Sequence, residues 1–302
     1  MTAGGPPMLV GGPPQGLRSV STKERSLFAD VSPSSTLDLH VHTCFSDGRY
    51  TPTEVLRRCA DAKLDFVALT DHDLASPLPP GPHRIGDHEL TVIAAAEISG
   101  THEGREFHLL VYFPGETPEP FKAFCRAQCQ ARARRYDTAV RSLDLEGVEG
   151  PSESAVHGER AVTRFHLAQA LVGLGHARST GDAFARFLST SHGHVPPLGL
   201  TFVDAIRIAR EHGGITSWAH PPLEAIKAHV DTFAKAGLHG LEALRPMVNA
   251  KARKAYKKAA KRHGLFFTGG SDWHGWRNDT LGLFRIQARD VEPFLGALAG
   301  KS

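Results

Sequence analysis

In Asp38-Leu39-His40-Val41-His42 two imidazoles and a carboxylate alternate with aliphatic residues. A β-strand turns successive side chains to opposite faces, so Asp38, His40 and His42 share one face while Leu39 and Val41 take the other. Imidazole is the commonest metal ligand of proteins, and two on one face can converge on one cation. The same pair is also compatible with two half-exposed histidines of an ordinary strand, so the weight falls on where other candidates lie. Asp47 follows in a Ser-Asp-Gly turn, Thr70-Asp71-His72-Asp73 closes the apolar run Phe66–Leu69, Glu97 ends the run that begins at Leu90, and His108 lies in the next one. His220 stands in Ala-His-Pro after Ile215–Ala219, and Asp272 and His274 stand in Ser-Asp-Trp-His after Leu265–Thr268. Six imidazoles and three carboxylates exceed the needs of one four-coordinate zinc, and a carboxylate such as Glu97 can bridge two ions. The expected cofactors are two or three divalent metal ions, Mn, Zn or Fe, since mixed imidazole and carboxylate ligands accept all three.

Such residues meet only if strands bring them to one face. Short apolar runs at Leu37–Val41, Phe66–Leu69, Leu90–Ala96 and Phe107–Phe113 alternate with helical stretches, the pattern of βα units around a mainly parallel sheet. Thr51-Pro52-Thr53-Glu54 starts the first helix, with Thr51 as cap and Glu54 reaching back. Residues 118–194 hold helical patterns at Ala123–Leu145, Val162–Leu174 and Asp182–Leu188 and no convincing strand. Alternation resumes with a helix over Thr201–His212, Ile215–Ala219, a helix from Leu223, Gly240–Leu244, a Lys-rich helix over Ala250–Arg262 and Leu265–Thr268, with a strand expected at Leu283–Ile286. The pattern predicts an α/β fold over 36–117 and 195–302, interrupted by a helical insert at 118–194, and in a closed or nearly closed βα barrel the candidates would meet. The C-terminal ends of barrel strands share one face, where such folds place their active sites.

Composition narrows the function classes. Hydrophobic residues at 41% and charged ones at 22% of 302 residues exclude a disordered chain, and the length suits one large barrel. A net charge of +3 makes neither stable binding to duplex DNA nor binding to an anionic membrane an expectation. No apolar run approaches the ~18 residues of a membrane span. Nine of the first sixteen residues are Gly or Pro, and residues 1–35 read as a flexible tail. Cys44, Cys59, Cys125 and Cys129 lack paired CxxC spacing and read as reduced thiols of a cytoplasmic protein, with Cys44 a packing residue. The basic residues of the Ala250–Arg262 helix read as a solvated outer face, with a track for RNA phosphates as the alternative.

The ordered motifs Asp38–Gly48, Thr70–Asp73, Glu97-Ile98-Ser99, Ala219-His220-Pro221 and Ser271–His274 resemble those of the polymerase and histidinol phosphatase (PHP) family. The resemblance covers about 37–113 and 200–290 and implies a distorted, TIM-like seven-stranded βα barrel with a trinuclear metal centre. It implies that His40, His42, Glu97 and Asp272 hold one ion, that Glu97 bridges to a second held by His108 and His220, and that Asp47, His72 and His274 hold a third. The insert resembles that of the branch acting on nucleoside 3′,5′-bisphosphates and short 5′-phosphorylated oligoribonucleotides. That branch carries an Arg-Pro-His segment where this chain has Arg164-Phe165-His166, so Arg164 and His166 are implied to face the substrate phosphate. Arg135 is a weaker candidate for a second phosphate, with a solvated helix charge as the alternative.

The implied activity is that of a phosphoric ester hydrolase acting on a phosphorylated small molecule or a short RNA. Two ions about 3.5–4 Å apart can share a hydroxide as nucleophile near neutral pH, and a third can neutralise phosphoryl oxygens. Asp272 is the expected proton shuttle, and His166 or a metal-bound water the expected acid for the leaving oxygen. The alternatives are a small-metabolite phosphatase, such as one for histidinol phosphate, and a non-catalytic metal-binding PHP module. A single-metal amidohydrolase is disfavoured because Glu97 occupies the place of its bridging lysine.

Overall fold

The structure is a computed structural model that describes residue 28 and residues 31–276 and 281–300. Most of the tail expected over 1–35 lies outside the described residues. Within it, Phe28 is buried and Val31 packs beside it, in one cluster with Leu37, Leu39 and Phe66.

The chain runs β1 (Thr36–Val41), α1 (Pro52–Asp61), β2 (Phe66–Leu69), β3 (Gly81–Ile85), β4 (His88–His102), β5 (Arg105–Phe113), α2 (Glu119–Leu143), α3 (Glu153–Val156), α4 (Arg164–Gly173) and α5 (Thr180–Ala183). It continues through α6 (Phe202–Glu211), β6 (Ile215–Trp218), α7 (Leu223–Ala236), β7 (Gly240–Leu244), α8 (Ala250–His263), β8 (Phe266–Gly269), β9 (Ile286–Gln287) and α9 (Glu292–Leu298). The sheet order is β8-β7-β6-β5-β4-β2-β1-β9, with β3 paired to β4 off this path. Between β8 and β1 the barrel is nearly closed. There the Asp272 N–H donates to the His40 carbonyl and the His42 N–H to the Trp273 carbonyl, both at 2.9 Å. Gly270 permits this approach, since a Cβ at that position would lie 2.5 Å from the His40 nitrogen.

The expected strands are present, but the sheet is less parallel than the alternation suggests. β1–β2, β2–β4, β6–β7 and β7–β8 pair in parallel, whereas β5 is antiparallel to both β4 and β6. Glu97 therefore does not end its strand. β4 continues to His102 and returns through Glu103 and Gly104, whose φ values of 48° and 73° suit a two-residue hairpin turn. Because β5 runs the other way, His108, near its start, reaches the face that the other candidates reach from strand ends. β3 carries Pro82, which lowers its strand signal in sequence and suits a strand on the edge of the sheet. The strand expected at Leu283–Ile286 contracts to Ile286–Gln287, and Leu283 is exposed.

Helices α6, α7 and α8 cover the β5–β8 half of the sheet, burying Phe202, Trp218 and Phe233 in one aromatic cluster. The α1 start has the expected capping box between Thr51 and Glu54. On α8 the alanines and Tyr256 face inward while the lysines and arginines are exposed, so the solvated-face reading applies. The helical segment after β5 has its own core of Leu143, Leu167, Leu171, Leu188 and Val195. One buried ion pair ties it to the barrel. Arg132 of α2 donates through Nε to Asp73 and through its terminal nitrogen to Ser99 Oγ at 2.5 Å, and Asp73 Oδ1 accepts from the Ser99 N–H at 2.8 Å.

Removing one member of a buried pair leaves the other charge uncompensated, at a cost of about 3–5 kcal/mol. Arg132→Met is expected to lower stability by that amount in urea unfolding. Adding Asp73→Asn to it is expected to restore part of the loss.

Candidate metal centre

Glu97 is fully buried, and its two oxygens lie under five imidazoles. Oε1 is 3.3 Å from His40 Nε2, 3.2 Å from His108 Nδ1 and 3.2 Å from His220 Nε2. Oε2 is 3.4 Å from His42 Nε2 and 2.9 Å from His72 Nδ1. Asp272 Oδ1 completes one side at 3.4 Å from both His40 Nε2 and His42 Nε2. Asp47 forms the other, with Oδ2 3.5 Å from His72 Nε2 and Oδ1 3.3 Å from His274 Nε2. All nine residues singled out in the sequence are thus brought together. Seven of them form three overlapping groups: His40, His42 and Glu97; His72, Glu97 and His108; and His42, Asp47, His72 and His274. His220 and Asp272 border these groups through their contacts to Glu97, His40 and His42.

The groups differ from those the family resemblance implies: Asp272 is not in the first, His72 stands in place of His220 in the second, and His42 joins the third. His72 faces Glu97 as closely as it faces Asp47, so it stands between two groups rather than in one.

Local structure aims these donors. His40 Nδ1 is 2.8 Å from Glu242 Oε1, and a proton on Nδ1 directs the Nε2 lone pair into the cluster. Glu242 Oε2 also accepts from the His220 N–H at 2.7 Å, holding that residue at a φ of 30°. His274 Nδ1 lies 2.9 Å from the Asp272 carbonyl, which leaves its Nε2 for Asp47. Asp71 accepts from the N–H and hydroxyl of both Thr43 and Ser46, at 2.6 to 3.2 Å, and so fixes the turn that presents Asp47. Asp73, His220 and Asp272 all take positive φ immediately after strand ends or bridges, a strain that the surrounding contacts sustain.

The donor set fits cations. Asp47 Oδ1, His72 Nδ1 and Glu97 Oε2 are buried without a hydrogen-bond partner, although His72 Nδ1 and Glu97 Oε2 are in contact. Converging lone pairs on buried carboxylates require positive charge to offset their desolvation. Burial opposes ionisation of His40 and His72, yet the carboxylates hold both well above the ordinary imidazole range. Burial and the neighbouring His274 push His42 down to about 4. The Asp47 carboxyl is buried as well, and His72 and His274 nevertheless hold it well below the usual carboxylate range. Divalent ions on these nitrogens and oxygens would replace the protons that the carboxylates otherwise draw onto the imidazoles.

The substrate-side candidates lie at the edge of this cluster. Arg164 has a side chain 29% exposed and is 3.6 Å from Glu106 Oε2. His166 accepts the Thr163 N–H on Nδ1 at 3.0 Å, capping α4, so the neutral ring carries its proton on Nε2. Burial lowers its pKa. Arg135 is not a solvated helix charge. It is buried, donating to Glu106 Oε2 at 2.9 Å and to the Pro196 carbonyl at 2.6 Å. Glu106 was not singled out in sequence, although it precedes His108 by two residues on a strand and so shares its face. Its Oε1 is 3.5 Å from His108 Nε2, which links the cluster to both arginines. Glu242 lies in β7. Its direct hold on His40 depends on a contact between β7 and β1 that no local pattern encodes. The four cysteines are free, and Cys59, Cys125 and Cys129 are buried with thiols pushed up by desolvation.

The PHP domain family model matches residues 38–159. The 5′-3′ exoribonuclease Rnm of Escherichia coli is 29% identical over 256 residues, covering 82% of this chain and 87% of that protein. The 3′,5′-nucleoside bisphosphate phosphatase of Chromobacterium violaceum is 26% identical over 249 residues, covering 80% and 87%. A crystal structure from Bifidobacterium adolescentis, described as a metal-dependent phosphoesterase, aligns with a TM-score of 0.63 at 28% identity, covering 79% and 87%.

Partners that orient a ligand imidazole typically contribute 10–100-fold to metal affinity. Glu242→Gln is expected to weaken divalent-ion binding by that factor in chelator competition, with the circular dichroism spectrum unchanged.

Proposed function

We propose that the chain is a metal-dependent phosphoesterase of the PHP type that hydrolyses a phosphate ester of a nucleotide. The substrate is a nucleoside 3′,5′-bisphosphate or the 5′ end of a short oligoribonucleotide. The observation that carries the reading is the buried Glu97 carboxylate under five imidazoles, flanked by Asp47 and Asp272 and bordered by Arg164. The names of the two relatives support the nucleotide class.

His40, His42, Glu97 and Asp272 would hold one ion, Glu97, His108 and His220 a second, and Asp47, His72 and His274 a third, with Mn, Zn or Fe as the metals. Bound ions of this kind lower the pKa of water and neutralise phosphoryl oxygens. The protein's own groups do the rest. Asp272, with a side chain 34% exposed beside His40 and His42, faces the cavity and takes the proton from the attacking water. The surrounding protein desolvates its carboxyl, yet His40, His42 and His274 hold it well below the usual carboxylate range. Arg164 supplies a guanidinium to the substrate phosphate, where planar bidentate pairing is favoured. Glu106 holds Arg164 and Arg135 at the rim and so fixes where that charge stands. His166, whose single proton sits on Nε2, hydrogen-bonds the leaving oxygen, and that oxygen takes up the proton that Asp272 removed from the attacking water. The helices over 118–194 roof the site and restrict the substrate to a mononucleotide or a strand end.

No helix among the described residues is long and apolar enough to cross a membrane. The basic face of α8 lies on the outside of the barrel and is not part of the proposed site.

Phosphate release from a nucleoside 3′,5′-bisphosphate, a 5′-phosphorylated dinucleotide and histidinol phosphate tests the reading. Metal-loaded protein is expected to turn over a nucleotide substrate faster than histidinol phosphate. His42→Ala, which removes a donor shared by two groups, is expected to abolish turnover. Activity near that of the parent would refute the assignment of His42.

A further inference from the structure

The metal cluster opens into a cavity of about 470 Å³ whose floor includes Asp47, Asp272 and His274. Two aromatic rings from different parts of the chain stand at its rim. Phe165 comes from the first turn of α4, between Arg164 and His166, and Trp276 from the segment after β8. Their centroids are 5.5 Å apart at an interplanar angle of 53°. Trp276 is 42% exposed, whereas the other two tryptophans, Trp218 and Trp273, are buried. The indole N–H of Trp276 donates to the Asp47 carbonyl at 2.5 Å. The polar edge of this ring is thereby satisfied and fixed to the turn that carries a cluster carboxylate. The ring lines the cavity beside Phe165.

An exposed indole held at a fixed position beside a phosphate-handling centre is suited to a planar partner. We propose that Trp276 and Phe165 form a nucleobase-stacking site, so that a substrate whose phosphate reaches the cluster lays its base against the indole face. This inference rests on the phosphoesterase reading for the position of the phosphate. Base–aromatic stacking is tolerant of base identity because every base has a π-face. The site therefore selects nucleotides over other phosphate esters and does not select among the bases. Phe165 replaces the proline of the Arg-Pro-His segment that the sequence otherwise resembles, and it brings a ring to the rim where proline offers none. The helical insert and the barrel each contribute one ring, so base binding also clamps the insert over the site.

The test compares the metal-loaded parent with Trp276→Leu and Phe165→Leu, which keep apolar bulk and remove the ring. Phosphate release is measured from adenosine 3′,5′-bisphosphate and from ribose 5-phosphate, which has no base. Loss of stacking is expected to raise KM for the nucleotide about tenfold in Trp276→Leu, with kcat changed little. Kinetics on ribose 5-phosphate are expected to stay at the parent's values in Phe165→Leu, which leaves the Trp276–Asp47 hydrogen bond in place. In parallel, intrinsic fluorescence is titrated with adenosine monophosphate. The nucleotide is expected to quench the parent and not Trp276→Leu, and ribose 5-phosphate is expected to quench neither. An unchanged nucleotide KM in both variants, with phosphate still released, would overturn the stacking site and leave the phosphoesterase reading intact. Release from neither substrate would count against that reading, and the fluorescence titration alone would then decide base binding: quenching lost in Trp276→Leu supports it, and no quenching in the parent overturns it.

Discussion

The burial of Glu97 is the constraint around which the rest of the molecule is arranged. A carboxylate removed from water needs compensation on each lone pair it presents. Five imidazoles supply the surroundings, and they come from β1, the segment after β2, β5 and the segment after β6. No two adjacent strands could provide them. The closed form of the sheet, the reversal of β5 and the tight approach of Gly270 to His40 all follow from bringing these donors around one group. Among the described residues, the same centre gathers Asp47, Asp272 and, one layer out, Glu242. Such a concentration of buried acid and imidazole costs folding energy unless cations complete it.

A short segment couples this centre to the parts that would meet substrate. In Thr70–Asp73, Asp71 holds the Thr43–Ser46 turn, His72 faces Glu97 and Asp47, and Asp73 receives Arg132 from the insert. Three consecutive side chains thus fix the turn, the histidine–carboxylate cluster and helix α2 relative to one another. Glu106 plays a comparable part on β5, between His108 and the arginines at the edge of the site. The helical segment after β5 is therefore attached through charged contacts, while its main apolar core is internal to it.

Much of this was legible in the sequence. The period of two in β1 gave the shared face of Asp38, His40 and His42, and the apolar runs placed most of the remaining candidates at strand ends. What local pattern could not show was direction. A run such as Leu90–Ala96 looks the same whether the chain stops at Glu97 or continues to a hairpin, so the length of β4 and the antiparallel course of β5 were missed. Arg135 read as one charge on an arginine-rich helix because its partner, Glu106, is 29 residues away. Glu242 and Trp276 acquire their roles only through contacts to His40 and Asp47 across more than 200 residues. Residue type and spacing revealed the donors, whereas the groups that orient them needed the fold.

The most direct measurement is the metal content and phosphate release of Glu97→Gln beside the parent. The substitution keeps the side-chain volume and removes the charge that the five imidazoles surround. The account expects the parent to bind at least two divalent ions per chain and to release phosphate from a nucleoside 3′,5′-bisphosphate. It expects Glu97→Gln, still folded, to lose more than one ion and its turnover together. A Glu97→Gln protein that kept the parent's metal content and rate would contradict it.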